Sequence, residues 1–251
     1  MHDVIAPMHN VIITGASRGL GLGTARKLAS VGFRAIAIAR RESDQVLRAL
    51  EELNRTHPGA LQFRAFDLAD IGSIGAFVRG IRKELGPIYG LVNNAAIGTD
   101  GVLATMHNSQ IERLIRVNTV SPLVFSKYVV RSMMADGGGR IVNVASIIGF
   151  TGYSGLSVYG ASKAAMLGFT RSLAREVGRT NITVNAVAPG FLDTEMTRGL
   201  EGEQRQQVAR RSALRRLAEV EDVANAIAFL LGAEAKNITG TVLTVDAGST
   251  A

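Results

Sequence analysis

The chain of 251 residues has no cysteine, no tryptophan and only 5 prolines. Without cysteine there is no disulfide scaffold, no thiolate zinc site, no iron–sulfur cluster and no thiol nucleophile. Its histidines, His2, His9, His57 and His107, form no pair at metal-ligand spacing, which argues against a metal enzyme. No apolar run approaches the roughly 20 residues that a membrane span requires. The opening Met1-His2-Asp3-Val4-Ile5-Ala6-Pro7 lacks the basic flank and apolar stretch of a signal peptide, so a soluble cytoplasmic protein is expected. Acids are the minority charge: 28 Lys plus Arg against 21 Asp plus Glu give a formal net charge of +7. The basic residues are spread along the chain without interleaved aromatics, so no nucleic-acid partner is expected.

What is present is an alternation. Short β-branched or apolar runs at Asn10–Thr14, Phe33–Ala39, Leu61–Phe66, Ile88–Val92, Arg140–Ala145, Ile182–Ala188 and Thr241–Val245 read as strands. Several are apolar throughout, as strands covered on both faces must be. Helical patterns lie between them at Leu20–Val31, Ser43–Arg55, Ile71–Leu85, Ser109–Ala135, Ser157–Gly178 and Val220–Leu231. With no linker or repeat to divide it, residues 1–251 are expected to form one α/β domain. Its fold would be a Rossmann-like, doubly wound, seven-stranded parallel sheet with helices on both faces. Ligands of such sheets bind beyond the carboxyl ends of the strands, where most of the residues below fall.

The first strand runs into Thr14-Gly15-Ala16-Ser17-Arg18-Gly19-Leu20-Gly21 and then a helix. Glycines let backbone approach a pyrophosphate, and amides at the helix N-terminus stabilise its charge. The second strand ends in Arg40-Arg41 with no carboxylate at its tip. An acid there would hold a ribose 2′-hydroxyl, whereas arginine favours a 2′-phosphate. With Arg18 in the nearby turn, the expected cofactor is NADP(H).

Of four tyrosines, only Tyr159 has a lysine, Lys163, four residues on. On a helix these share a face, and a neighbouring cation is expected to lower the phenol pKa towards neutral pH. Ser146 closes a strand, where its hydroxyl would reach a substrate carbonyl. Asn118 sits inside an apolar helical stretch, where asparagine is a poor helix former and needs a buried partner.

In this order and spacing, Thr14-Gly15-(x)3-Gly19-x-Gly21, Asp67-Leu68, Asn93-Asn94-Ala95, Asn118, Ser146, Tyr159-(x)3-Lys163, Pro189-Gly190 and Thr194 resemble the short-chain dehydrogenase/reductase family nearly end to end. The resemblance implies that Tyr159 is the proton donor or acceptor, that Ser146 orients the carbonyl and that Lys163 binds the nicotinamide ribose. It implies that Asn118 holds a water relaying protons from Lys163. Gly15, Ser17, Arg18, Gly19, Leu20, Gly21, Arg40 and Arg41 would bind the cofactor phosphates. Asp67 and Leu68 would meet the adenine, Asn93 and Ala95 the adenosine side, and Pro189, Gly190 and Thr194 the nicotinamide.

Within that family the chain looks most like 3-oxoacyl-[acyl-carrier-protein] reductases, in Ser172–Val177, Val187–Phe191, Glu195–Arg198 and Ile238–Gly240. This implies NADPH-dependent reduction of a 3-oxoacyl thioester, with an acyl carrier protein as a possible partner, and a homotetramer. Ala135-Asp136-Gly137-Gly138-Gly139 departs from the basic stretch that such relatives carry. A substrate lid is expected at about 191–217, where Arg205, Arg210, Arg211, Arg215 and Arg216 suit coenzyme A phosphates or an acidic carrier. A dehydrogenase or reductase of a small secondary alcohol, sugar or cyclic ketone on the same scaffold is the alternative, and a nucleotide-binding protein with a silent site is a third.

Overall fold

A computed structural model describes residues 8–98, 101–192 and 202–251, the backbone alone for 202–205. Each of the seven apolar runs becomes a strand: β1 (Asn10–Thr14), β2 (Arg34–Ala39), β3 (Leu61–Ala65), β4 (Ile88–Asn93), β5 (Gly139–Val144), β6 (Ile182–Pro189) and β7 (Val242–Val245). Between them run α1 (Gly19–Ser30), α2 (Asp44–Thr56), α3 (Ile74–Leu85), α4 (Asn108–Ile115), α5 (Ser121–Ala135), α6 (Ser157–Val177), α7 (Gly202–Arg211) and α8 (Val220–Leu231). No helix among the described residues is long and apolar enough to cross a membrane.

The strands form one parallel sheet in the order β3-β2-β1-β4-β5-β6-β7. Successive side chains of a strand point to opposite faces. Val11 and Ile13 therefore pack with α1, α2 and α8, while Ile12 packs with α3, α5 and α6. Each fully buried Ile, Leu or Phe contributes about 1.5–3 kcal/mol relative to exposure. The chain winds outward from β1 to β3, then crosses back to lay β4 beside β1. That reversal opens a crevice at the carboxyl ends of β1 and β4.

Two expectations need correction. The stretch Ser109–Ala135 is not one helix, because α4 and α5 are joined by a π-turn over Arg116–Val120 with Asn118 at its middle. Asn118 is 2% exposed, and its amide bonds the backbone of Ile97 in the loop after β4. An extra residue in the turn accommodates that inward demand. At Ile71–Leu85, a 3₁₀ turn (Ile71–Ser73) capped by Asp70 precedes α3. The helix α7 lies in the segment expected as a lid, a stretch whose sequence gives no apolar stripe.

Candidate active site

The crevice is stitched by side chains reaching backbone across it. Thr14 Oγ1 accepts from Asn94 N at 3.0 Å and Ala95 N at 3.1 Å, and Asn94 Nδ2 donates to Thr14 O at 2.9 Å and Gly15 O at 3.2 Å. Gly15 has φ +69°, and a Cβ there would stand 2.7 Å from Ala95 Cα. A Cβ on Gly21 would meet Gly15 O at 2.3 Å and Asn94 Nδ2 at 2.6 Å. These glycines therefore let the turn, α1 and the β4 loop come together. Gly19, at φ +56°, would meet nothing within 4 Å, so its surroundings are open.

No side chain caps α1, and its first turn contains no acid, so amides and the helix dipole are left for an anion. Leu20 packs against the core, while Arg18 is exposed beside it. The turn is tied to α2 by Ser43, whose hydroxyl donates to Ser17 O at 2.5 Å and accepts from Val46 N at 3.2 Å. Arg40 and Arg41 are exposed just beyond β2. Asp67, exposed after β3, accepts from Ala69 N at 3.0 Å, and Leu68 lines a small cleft with Asn93 and Ala95.

At β5 and α6 three polar residues come together. Ser146 caps a 3₁₀ turn (Ile147–Gly149) through Ile148 N at 3.2 Å, and its hydroxyl lies beside the Tyr159 phenol. Gly149 and Gly160 allow this contact, since a Cβ on either would approach the opposing backbone to 3.0–3.1 Å. Lys163, 4% exposed, sends Nζ to Val144 O at 2.8 Å and lies 5.6 Å from the Tyr159 ring centroid. Burial lowers the Lys163 pKa to about 8. Against the depression expected from a neighbouring cation, burial raises the Tyr159 pKa, and Ser146 offsets that only in part.

Asn118 joins this group through Ser162, a residue the sequence reading missed. Asn118 Nδ2 donates to Ser162 Oγ at 3.2 Å, and Ser162 Oγ donates to Tyr159 O at 2.7 Å. Both amide hydrogens of Asn118 are thus committed to protein, and its oxygen accepts from Ile97 N at 2.8 Å, which fixes the side chain in place. Asn93 also turns inward, bonding Ser126 Oγ at 2.9 Å and Asn143 Oδ1 at 2.8 Å. Thr14 and Asn94 went unassigned in the sequence, because their partners lie about eighty residues away.

Pro189 ends β6, and Gly190 N donates to Val245 O at 3.0 Å. Thr194 lies outside the described residues. The loops beyond β4 and β5 expose Val102 (64%), Leu103 (54%), Phe150 (49%) and Tyr153 (46%). Gly101 N donates to Gly155 O at 3.2 Å, and the Tyr153 and Phe191 rings meet at a tilt of 58° with centroids 5.7 Å apart, which gathers these loops with the one after β6. The acid that departs from carrier-dependent relatives, Asp136, is engaged by Arg82 of α3, with Nη2 at 2.6 Å and Nε at 3.2 Å.

The family model described as short chain dehydrogenase matches residues 9–205. The 3-oxoacyl-[acyl-carrier-protein] reductase FabG of Escherichia coli (strain K12) is 39% identical over 237 residues, 94% of this chain and 95% of its own. Among solved structures, a gluconate 5-dehydrogenase from Burkholderia cenocepacia J2315 in complex with NADP and tartrate superposes with a TM-score of 0.90. It is 29% identical and covers 96% of this chain and 95% of its own. A variant of ElxO with NADPH bound gives a TM-score of 0.88 at 28% identity, covering 96% and 98%.

Proposed function

Starting from the fact that this chain belongs to the short chain dehydrogenase family, an oxidoreductase family, we propose that it catalyses NADPH-dependent reduction of a 3-oxoacyl thioester to the 3-hydroxyacyl thioester. The acyl group would be carried by an acyl carrier protein or by coenzyme A. One observation carries the reading: Tyr159 and Ser146 belong to a site whose neighbouring loops expose Val102, Leu103, Phe150 and Tyr153. An acyl chain suits that apolar rim, whereas a polyhydroxy acid needs hydrogen-bonding partners there. The 39% identity to a 3-oxoacyl-[acyl-carrier-protein] reductase supports the same reading.

The residues fit a nicotinamide dinucleotide phosphate. The uncapped start of α1 with open space at Gly19 suits the diphosphate, with Gly15, Ser17, Leu20 and Gly21 shaping the turn. Arg18, Arg40 and Arg41 suit the 2′-phosphate, and likeness to proteins solved with NADP and NADPH supports it. Asp67 and Leu68 would face the adenine, Asn93 and Ala95 the adenosine side through backbone, and Pro189, Gly190 and Thr194 the nicotinamide. Lys163, a buried cation that donates to the Val144 carbonyl and has further N–H groups to offer, suits a ribose hydroxyl.

Bound NADPH supplies the hydride. Ser146 donates a hydrogen bond to the carbonyl oxygen, lowering the cost of the charge that develops there. Tyr159 gives its proton to that oxygen, completing the alcohol. Lys163 stabilises the phenolate left behind. We assign the water that returns the proton to Asn118, which Ile97 and Ser162 hold in place within the π-turn.

Residues 191–217 are the proposed substrate lid, with Arg210, Arg211, Arg215 and Arg216 facing the phosphates of coenzyme A or an acidic carrier. The exposed Val120 and Leu123 of the π-turn and α5 are proposed as part of a homotetramer contact. A second reading, reduction of a sugar acid or simple ketone, is favoured by the likeness to the gluconate 5-dehydrogenase.

The test follows cofactor oxidation with an acetoacetyl group on carrier protein, on coenzyme A and against simple ketones, with NADPH and NADH. Thioester turnover with preference for NADPH is expected. Turnover of a simple ketone alone would sink the substrate assignment, and preference for NADH would sink the role of Arg40 and Arg41.

A further inference from the structure

The proposed lid leaves the sheet at β6 and returns before α8. Both of its feet meet one structure, the turn after β7. At the outgoing foot, Gly190 N donates to Val245 O at 3.0 Å, and a Cβ on Gly190 would lie 2.7 Å from Asp246 Cβ. Asp246 and the outgoing strand are therefore in direct contact. At the returning foot, Ala213 N donates to Gly248 O at 3.3 Å and Leu214 N to Ala247 O at 3.0 Å. A bridge between Leu192 and Ala218 closes the base between them.

The turn itself is built on Asp246. This carboxylate is 8% exposed and is satisfied by the chain that follows it. Oδ1 accepts from Gly248 N at 2.9 Å, while Oδ2 accepts from Thr250 N at 2.9 Å and Thr250 Oγ1 at 2.7 Å. Its own carbonyl accepts from Ser249 N at 3.1 Å and Ser249 Oγ at 2.9 Å. These bonds impose positive φ on Ala247 (55°) and Gly248 (78°), which aims both carbonyls at the returning foot. For Ala247 that conformation is strained and needs outside support. The foot is equally defined, because Ser212, 3% exposed, bonds Ala209 O and Arg216 and holds the turn in which Arg215 adopts φ 52°.

We propose that Asp246 is a positioning residue that clamps both feet of the 190–218 excursion through the C-terminal turn. It thereby sets how tightly the substrate is held, while touching neither substrate nor cofactor. The substrate part of this statement rests on the lid reading given above; the clamp does not.

The experiment compares full-length Asp246→Asn and Thr250→Val with the wild type, each saturated with NADPH. Limited trypsinolysis is mapped by mass spectrometry, and kcat and KM are measured with acetoacetyl-coenzyme A. Losing a charge-assisted hydrogen bond should speed cleavage after Arg205, Arg210 and Arg211 roughly tenfold in Asp246→Asn, and less in Thr250→Val. Cleavage elsewhere and NADPH affinity should stay as in the wild type, and KM should rise severalfold with kcat nearly constant. Unchanged cleavage at those arginines, or faster cleavage along the whole chain, would overturn the clamp. Faster local cleavage with unchanged KM would keep the clamp and sink the lid reading instead. If Asp246→Asn does not fold, Thr250→Val carries the same comparison.

Discussion

Two stretches at the carboxyl end of one sheet are held by different means. The β1–β4 crevice is tied by side chains of Thr14 and Asn94 bonding backbone across it, with Gly15 pressed against Ala95. The loops beyond β4 and β5 meet through the Gly101–Gly155 bond and leave Val102, Leu103, Phe150 and Tyr153 exposed. The first arrangement fixes a shape, as suits a cofactor common to a family. The second offers apolar surface without fixing one, as suits acyl groups of varied length. Ser146, Tyr159 and Lys163 stand between the two, so chemistry should fail without either flank changing.

The largest effect should come from that junction. Tyr159→Phe is expected to lower kcat by about 10²–10⁴ while NADPH affinity stays constant, read by steady-state kinetics and fluorescence titration. Retained turnover would remove the proton donor from the account.

Next, Thr14→Val keeps the side-chain shape but leaves Asn94 N and Ala95 N without their acceptor. A loss of about 2–3 kcal/mol is expected in urea unfolding, together with weaker NADPH binding. A silent substitution would mean that the crevice is not held by these bonds.

Lys163 sharpens the comparison through pH. Burial takes its pKa from an ordinary 10.5 to about 8. Between those values the unfolded chain holds a proton that the folded chain lacks, so stability should rise with pH across that window. Below about pH 8 both states are charged and the full penalty remains. Lys163→Met should therefore stabilise the cofactor-free protein near neutral pH by on the order of 2 kcal/mol, a gain that fades as pH rises from about 8 to 10.5.

The smallest effect belongs to the rim. Leu103→Ser should raise KM a few-fold for longer 3-oxoacyl chains and leave the acetoacetyl thioester nearly unaffected, by loss of apolar contact worth about 1 kcal/mol. Equal effects on both chain lengths would show that Leu103 does not line the acyl path.

Seven strands were legible because buried parallel strands are written as unbroken apolar runs, such as Val11-Ile12-Ile13. The proposed catalytic group was legible because Tyr159 and Lys163 are one helical turn apart. What the sequence hid depends on distant partners. The π-turn at Asn118 answers to Ile97 and Ser162, and the Thr14 bonds answer to Asn94 and Ala95. Spacing reveals the cation near Tyr159 but not the burial that raises its pKa. The helix α7 carries no apolar stripe, so periodicity could not announce it.

The most direct test of the central claim compares kcat/KM for an acetoacetyl thioester with that for 5-ketogluconate, both with NADPH. The account predicts a clear preference for the thioester. Efficient reduction of 5-ketogluconate with no thioester turnover would contradict it.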